Sequence, residues 1–477
     1  MKPIVDLHCH PIMKPFGYSF DECKASNDQT EMACAWHDTG EGTFATLLKD
    51  VTGIAPFRQA DFNTLNKGNV KIVCCSLYPL EKGFFIEQSS GLKEFVLSYV
   101  TAVSKKRIEN VRTHTSYFKN ITAEYNFLTS MVGTGVLFNN EVHSYFIAKK
   151  YADIEKFLNS NAPNTIINII TIEGAHVFDC GLSSGLANEG KVLAKRDEVM
   201  SNVQAVKNWE YRPLFITVAH HFYNELCGHA RSLSLGKSSG INQEWGIDTD
   251  FTPLGLEVIE AMLDNTNGKR IYVDIKHMSR ASRKTYFNLL KTKYKGEDIP
   301  VIVSHGAVTG YKNESLQETV KGAAGFFRND DINFYDDELI EVAKTNGLFG
   351  LQLDERRIAG TASLNSLNTQ DPPATHEDWS KLLWRQLQHI AQVLDKEGLP
   401  AWDIATLGTD FDGVIKPMGK FFTAEELHLL ESGVLPHAKK FMKNNMLQLE
   451  TNSNMTAEEI VDKVFRGNAL QFFKRYL

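Results

Sequence analysis

The sequence lacks the features of several large classes of protein. It holds no dense run of Lys and Arg of the kind that neutralises nucleic-acid phosphates, and its formal net charge is −7. It has no apolar run that approaches the roughly 18 residues needed to span a bilayer. Its seven cysteines include no Cys-x-x-Cys pair, which argues against a thiolate zinc site or a disulfide framework. We therefore expect no nucleic-acid partner, no membrane partner and a reducing compartment.

The N-terminal residues enter an apolar strand pattern at once, without the basic region, apolar stretch and small-residue cleavage site of a secretory signal. A cytoplasmic location is the expectation. Hydrophobic residues make up 43% of the 477 residues and charged residues 23%, which is ordinary globular composition with ample material for a large core. An α/β barrel with insertions can exceed about 400 residues as a single unit.

Short β-branched or apolar runs recur along the chain, separated by segments long enough for helices. Eight such runs predict strands: Ile4–Leu7, Val70–Leu77, Thr165–Ile172, Leu214–Ala219, Ile271–Ile275, Pro300–Ser304, Leu348–Gln352 and Ile404–Gly408. Helical patterns are clearest at Thr252–Leu263, Asp336–Thr345 and Trp379–Lys396. Strands that alternate with helices form parallel sheets, and eight of them close most economically into a (β/α)8 barrel of the TIM type.

We expect one barrel domain over residues 1–477, with two long insertions. Residues 11–69 follow the first strand and residues 306–336 follow the sixth, so both would lie as lids or walls over the C-terminal face of the barrel. After the eighth strand, residues 415–477 are expected to pack on the barrel as helices. Their helical patterns are Ala424–Glu431, Ala438–Leu449 and Ala457–Tyr476.

Reactive side chains follow the predicted strands, where the C-terminal face of a barrel carries its active site. They are His8 and His10 after the first strand, Glu173 after the third, His220 after the fourth, His277 after the fifth, His305 after the sixth and Asp410 after the eighth. Each histidine alone could be a satisfied core residue, and His8-x-His10 alone is weak evidence of a metal. Together they favour a metal centre.

Five of these residues form two overlapping ligand sets that share one carboxylate. His8 and His10 would serve one metal, His277 and His305 the other, and Glu173 could bridge the two while positions stay open for water, as catalytic zinc sites require. The expected cofactor is two Zn²⁺ ions, with other divalent metals left open. Asp410 would carry protons.

Two nearby residues have alternative roles. Asp412 lies two residues beyond Asp410 and could compete for proton transfer, although a loop or capping role is the simpler interpretation. His176, three residues after Glu173, could orient a ligand or simply pack in the core.

Six blocks of sequence resemble the membrane dipeptidase (renal dipeptidase) family, peptidase family M19, within the amidohydrolase superfamily. They are Ile172-Glu-Gly-Ala-His176, Ile216-Thr-Val-Ala-His220, Phe251-Thr-Pro-Leu-Gly-Leu-Glu-Val-Ile259, Val273-Asp-Ile-Lys-His277-Met-Ser, Val301-Ile-Val-Ser-His305 and Gly408-Thr-Asp-Phe-Asp-Gly-Val414.

The resemblance implies a role for each matching residue. His8 matches the first ligand of the family, Glu173 its bridging glutamate, and His277 and His305 the histidines of the second zinc. Likewise, His220 resembles the histidine that contacts the substrate, Arg328-Asn329 the region that meets the substrate carboxylate, and Asp410 the acid-base aspartate. An exposed role for Arg328 is the alternative.

One departure from the family concerns the first metal, because His10 stands where the family usually has Asp. Histidine still binds zinc, but it removes a negative charge and so could alter metal preference and the acidity of bound water.

The resulting hypothesis is a zinc-dependent hydrolase that cleaves the amide bond of a dipeptide or dipeptide-like small molecule. A metal-dependent phosphodiesterase or deoxyribonuclease is one rival, and a lactone or other amide hydrolase is another. A non-catalytic binding module is the third. A homodimer stays open as the oligomeric state.

Overall fold

The computed structural model describes residues 2–19, 24–37, 57–85, 103–138, 140–160, 162–183, 192–233, 241–444 and 447–477. These residues form ten strands: β1 Ile4–Cys9, β2 Val70–Leu77, β3 Val136–Phe138, β4 Glu141–Ile147, β5 Thr165–Glu173, β6 Phe215–Thr217, β7 Tyr272–Asp274, β8 Ile302–Gly306, β9 Leu348–Leu351 and β10 Ala405–Leu407.

Eight of the strands form a parallel barrel in the order β1-β2-β5-β6-β7-β8-β9-β10. The ring closes between its first and last strands, where Cys9 forms a parallel bridge with Phe411. Two backbone hydrogen bonds of 2.9 Å support the closure: Asp410 N–H donates to the His8 carbonyl, and His10 N–H donates to the Phe411 carbonyl. The predicted (β/α)8 barrel is therefore confirmed.

All eight predicted strands are present, with differences at their ends. Val70–Leu77 is unchanged, while β1 and β5 continue to Cys9 and Glu173. The fourth and fifth predicted strands shorten to β6 and β7. These changes move His8 and Glu173 from just beyond a strand to inside its C-terminal end.

A β-hairpin between β2 and β5 is absent from the predicted set of strands. Its strands β3 and β4 pair in antiparallel, and β4 adds to β5 over Thr165–Asn168. Side chains on the hairpin are unusually exposed, with Leu137 at 64% and Val142 at 65%. The positions of β4 alternate in burial, but Val142 and Phe146 are exposed while His143 is buried. Apolar and polar residues therefore do not alternate in the way on which strand prediction depends.

Helices connect and cover the strands. The α-helices are Met13–Ser19, Phe62–Lys67, Lys105–Thr113, Tyr117–Thr129, Tyr151–Leu158, Arg196–Lys207, Pro253–Leu263, Arg280–Thr292, Ala323–Phe326, Asp336–Lys344, Glu355–Ile358, Thr361–Asn368, His376–Lys396, Leu427–Lys443, Glu450–Ser453, Ala457–Asp462 and Asn468–Tyr476. Short 3-10 helices lie at Lys82–Phe84, Ala175–Phe178 and Ala424–Glu426, and a π-helical turn at Lys463–Gly467. None of the helices in the described residues is long and apolar enough to cross a membrane.

The predicted C-terminal helices need one correction. The helix predicted at Ala438–Leu449 is instead part of Leu427–Lys443, which begins earlier and ends at Lys443. Beyond it, the backbone N–H groups of Gln448 and Leu449 donate to the carboxylate of Asp395 at 2.5 and 3.0 Å. These bonds hold the chain in a turn because the amides satisfy a buried carboxylate rather than a helix ladder.

Strand alternation separates the two faces of β1. Val5 and Leu7 belong to a buried cluster with Phe472 and Phe473 of the last helix. Successive side chains of a strand point to opposite faces, so Asp6 and His8 point into the barrel. The six described cysteines are all buried free thiols, as expected from their spacing.

Candidate metal centre

The carboxylate of Glu173 lies at the centre of a cluster of polar side chains at the C-terminal face of the barrel. Four imidazole Nε2 atoms lie within 3.6 Å of its Oε1 atom. They belong to His277 at 3.4 Å, His220 and His305 at 3.5 Å, and His8 at 3.6 Å. A fifth, that of His10, lies 3.1 Å from Oε2. Side chains at the C-terminal ends of four strands thus converge on the carboxyl group of a fifth.

Asp410 closes the cluster on the side of β10. Its Oδ1 atom lies 3.7 Å from the Nε2 atoms of both His8 and His10, and Oδ2 lies 4.0 Å from that of His305. The residue has a φ of 62°, in the left-handed region. Gly413 permits this arrangement, because a Cβ atom there would lie 2.0 Å from Asp410 Oδ1.

Hydrogen bonds on the far sides of the rings orient the ligand atoms. His10 Nδ1 contacts the Ser76 carbonyl at 3.0 Å, and His305 Nδ1 contacts Ser304 Oγ at 2.8 Å. A histidine whose Nδ1 atom is engaged by a carbonyl presents Nε2 to a metal, and such outer contacts fix both tautomer and ring orientation. The Nε2 atoms of His10 and His305 therefore face the cluster.

The cluster fits a divalent metal ion. Three groups of ligand atoms among the described residues lie within 4.8 Å of one another: His8, His10 and Asp410; His8, Glu173 and His305; and His220, His221 and His277. Several buried nitrogens have no hydrogen-bond partner within the described part of the chain, namely both ring nitrogens of His8 and Nδ1 of His277. Buried polar atoms without partners are costly, and imidazole and carboxylate donors suit zinc and similar divalent metals.

The electrostatics of the cluster favour metal binding. Burial alone would raise the pKa of Glu173, but the surrounding histidines hold it well below its usual value. Burial holds the pKa values of His277 and His305 well below the usual value, with neighbouring positive charge adding to the effect. These three groups are therefore an ionised carboxylate and two neutral imidazoles, the protonation states that metal ligands require.

His10 differs from His277 and His305 in its protonation state. Burial opposes its charge, but the nearby Asp410 and Glu173 carboxylates raise the pKa of His10 to about 10. In the metal-free protein its proton occupies the side that faces the cluster, and a metal ion would have to displace that proton.

Comparison with known proteins supports the barrel assignment. No protein-family model matches the chain, and no curated protein is similar to it in sequence. Among solved structures, the dipeptidase AC, a metallo peptidase of family M19, has a TM-score of 0.54 with 12% identity, covering 100% of this chain and 98% of its own. The fold is that of the M19 metallo dipeptidases.

A second solved structure has the same degree of likeness. It is a metallo peptidase from Rhodobacter sphaeroides liganded with a phosphinate mimic of the dipeptide L-Ala-D-Ala, also with a TM-score of 0.54 and 12% identity. The alignment covers 100% of this chain and 99% of that one. The alignment therefore includes the segments that carry the cluster.

His220, matched by its motif to the substrate-contacting histidine of M19 dipeptidases, belongs to the cluster. Its Nδ1 atom lies 2.5 Å from Glu81 Oε2, and its Nε2 atom faces Glu173. Burial opposes the charge on His220, but Glu173 and Glu81 raise its pKa to about 9. Glu81 was not among the predicted site residues. Its one sequence signal is position, since it comes four residues after β2 at the same face of the barrel.

His221 also belongs to the cluster. Its ring centroid lies 3.9 Å from that of His220 and 5.1 Å from that of His277. Its Nδ1 atom contacts Ser232 Oγ at 2.6 Å. It was recognised in the sequence only as the neighbour of His220.

Arg328 and Asn329, matched to the carboxylate-binding region of M19 dipeptidases, make their contacts elsewhere. The guanidinium of Arg328 contacts Thr361 Oγ1 at 3.4 Å and Asp330 at 3.7 Å, and its side chain is 40% exposed. Asn329 is exposed. Both are accessible to a ligand, but neither is among the side chains that meet at Glu173.

Asp412 and His176 are engaged in structural contacts. The Asp412 carboxylate accepts the backbone N–H groups of Gln59 and Ala60, both at 3.0 Å, and lies 2.8 Å from Lys14 Nζ. Asp412 therefore attaches residues 59 and 60 of the 11–69 segment to the C-terminal face of the barrel. His176 Nε2 contacts the Pro79 carbonyl at 2.8 Å.

Proposed function

We propose that the chain is a hydrolase that uses two zinc ions to cleave the amide bond of a dipeptide or dipeptide-like small molecule. The observation that carries the proposal is the convergence of five imidazole Nε2 atoms on the two oxygens of Glu173. His8 and His10 would hold one zinc ion, His277 and His305 the other, and Glu173 would contribute to both. When bound, the ions would activate water and polarise the scissile carbonyl.

Asp410 is the proposed proton carrier. Its side chain is 13% exposed, while the side chains of the five proposed ligands are no more than 5% exposed. It is therefore the acidic group of the cluster that a substrate reaches most directly. In this role Asp410 accepts the proton of the attacking water and passes it to the leaving amine.

His220 is the proposed contact to the substrate carbonyl. Its buried ring presents Nε2 to the cluster, where the imidazolium can donate a hydrogen bond to the oxygen on which negative charge develops. Removing one preorganised donor of this kind typically lowers kcat by roughly 10²- to 10³-fold.

The substrate class rests on the family resemblance and on the ligand of one structural neighbour. The Rhodobacter sphaeroides metallo peptidase was solved with a mimic of L-Ala-D-Ala. By the motif match, Arg328 and Asn329 would bind the terminal carboxylate of a comparable substrate, since a guanidinium pairs with a carboxylate through two parallel hydrogen bonds. A fixed distance from that carboxylate to the scissile carbonyl would select dipeptides over longer peptides.

A substrate panel tests this function directly. Zinc-loaded protein is assayed on a dipeptide library, on tripeptides, on a phosphodiester and on a lactone. We expect turnover of dipeptides and much lower rates on the other three classes. Turnover of the phosphodiester or lactone in preference to every dipeptide would replace the proposed function with that of a phosphodiesterase or lactonase.

A further inference from the structure

Glu81 lies just behind the cluster and receives three hydrogen bonds. Its Oε2 atom accepts from the Tyr78 hydroxyl at 3.0 Å and lies 2.5 Å from His220 Nδ1. Its Oε1 atom accepts from the Phe222 backbone N–H at 3.1 Å. The residue is only 3% exposed. The protein thus uses three of the roughly four acceptor positions of this buried carboxylate.

The ring of His220 is held from several sides. The rings of Tyr78, His221 and His277 lie 4.7, 3.9 and 4.5 Å from it, centroid to centroid. These contacts restrict the position of the ring, but they do not determine whether Nδ1 carries a proton. The contact with Glu81 does, because a carboxylate accepts only from a protonated Nδ1 atom.

We propose that Glu81 is a positioning residue that fixes the orientation of His220. With Nδ1–H donated to Glu81, the ring presents Nε2 to the reacting centre, where it lies 3.5 Å from Glu173 Oε1. The orientation follows from the contacts alone. Its consequence for catalysis rests on the proposed function, in which His220 contacts the substrate carbonyl.

The carboxylate cannot be replaced by an amide of the same shape. The side chain of Gln has one acceptor oxygen and one NH2 donor. If the oxygen accepts from Phe222 N–H, the NH2 group faces His220 Nδ1 and the Tyr78 hydroxyl, and the N–H donor of His220 loses its partner. The opposite arrangement leaves a donor facing Phe222 N–H. Glu81→Gln therefore removes the acceptor that keeps Nδ1 protonated, with little change in volume.

Nuclear magnetic resonance of histidine labelled with ¹⁵N in the ring tests the orientation without any substrate. The His220 resonances are assigned by their loss in His220→Ala, in zinc-loaded protein. We expect a protonated Nδ1 atom in the wild type and a changed Nδ1 signal in Glu81→Gln, with zinc content unchanged. An unprotonated Nδ1 atom in the wild type would overturn the proposal, and this result needs no folded Glu81 variant.

Kinetics test the catalytic consequence. We expect Glu81→Gln to lower kcat by roughly 10- to 100-fold, the usual range for residues that orient an active-site group, with a smaller change in KM. In the His220→Ala background the same substitution should cause no further loss, because Glu81 acts through His220. Equal losses in the two backgrounds would show that Glu81 acts by another route.

Glu338→Gln is the matched control. Glu338 is also a fully buried glutamate, but it pairs with Arg280 and Arg283, away from the cluster. We expect it to reduce stability without changing kcat. If no dipeptide is hydrolysed by the wild type, the proposed function fails, while the resonance experiment still decides the orientation of His220.

Discussion

The carboxylate of Asp6 accepts two hydrogen bonds from Thr409, a residue 403 positions away. The Thr409 backbone N–H lies 3.0 Å from Asp6 Oδ1 and its hydroxyl lies 2.6 Å from Oδ2. Asp6 also accepts the His8 backbone N–H at 3.1 Å. One buried side chain of β1 thus links the first strand of the barrel to the segment that follows the last. Its partners are next in sequence to, or part of, two residues of the candidate metal centre, Asp410 and His8.

Asp6→Asn is expected to destabilise the barrel at this junction. The amide supplies only one acceptor oxygen, so a buried donor of Thr409 or His8 loses its partner, at a cost of about 1–3 kcal/mol. Urea denaturation of metal-free protein measures the change in the free energy of unfolding. Asp28→Asn, in an exposed turn that contacts Thr30, is the control and should change stability by less than about 0.5 kcal/mol. Equal effects would contradict the linking role.

Glu173→Gln should reduce binding of both metal ions, because the carboxylate faces the histidines of both proposed sets. We expect about two zinc equivalents per chain in the wild type and a clear loss in the variant, measured by elemental analysis after equilibration with zinc. His305→Ala removes one proposed ligand and should weaken the binding of mainly one of the two ions. A wild type that binds one ion or fewer, with no recovery on adding zinc, would rule out the two-metal site.

Asp410→Asn should separate proton transfer from metal binding. The change keeps side-chain size but removes the group that accepts a proton, so zinc should remain while turnover falls by roughly 100- to 10,000-fold. Zinc content and dipeptide turnover are measured on the same preparation. Near-normal turnover would move proton transfer to another group or to solvent. Asp412 is the weaker substitute, because its carboxylate already binds two backbone N–H groups and contacts Lys14.

Arg328→Ala should weaken hydrolysis of a dipeptide far more than hydrolysis of the same compound with an amidated C-terminus. The planar guanidinium pairs with a carboxylate better than with a neutral amide. The ratio of kcat/KM for the two substrates is the measurement. A loss of equal size on both would show that Arg328, whose observed contacts are Thr361 and Asp330, does not bind the terminus.

Glu124→Gln should change how stability depends on pH. Burial raises the pKa of Glu124 from 4.5 to about 7, so the folded state binds more protons than the unfolded state between these values, and stability falls as pH rises through that window. A rise of this size corresponds to about 3 kcal/mol. The variant can still accept the Tyr78 N–H bond. It should therefore be more stable to unfolding than the wild type at pH 8, and this difference should disappear near pH 4.5.

Denaturation of metal-free protein at the two pH values measures this difference. Glu109→Gln, at a side chain that is 62% exposed, should show no such dependence. If Glu124→Gln raised the free energy of unfolding equally at both pH values, the effect would not come from titration of Glu124.

Much of the barrel and its centre could be predicted from the sequence because both depend on local patterns. Each barrel strand is a run of β-branched or apolar residues, and side-chain alternation within β1 determines that Asp6 and His8 share a face. The C-terminal ends of parallel strands meet at one end of a barrel. Residues such as His277 and His305 could therefore be placed together without knowing any distance.

Other features were decided only by the tertiary structure. The contact of Glu81 with His220 and the attachment of Asp412 to residues 59 and 60 join distant segments whose sequences have no shared periodicity. Glu81 and His220 are 139 positions apart, and Gln59 and Asp412 are 353 apart. Such contacts form because a buried carboxylate must find donors wherever the folded chain returns to it. Burial of that kind is a property of the whole fold, which no local pattern of residues specifies.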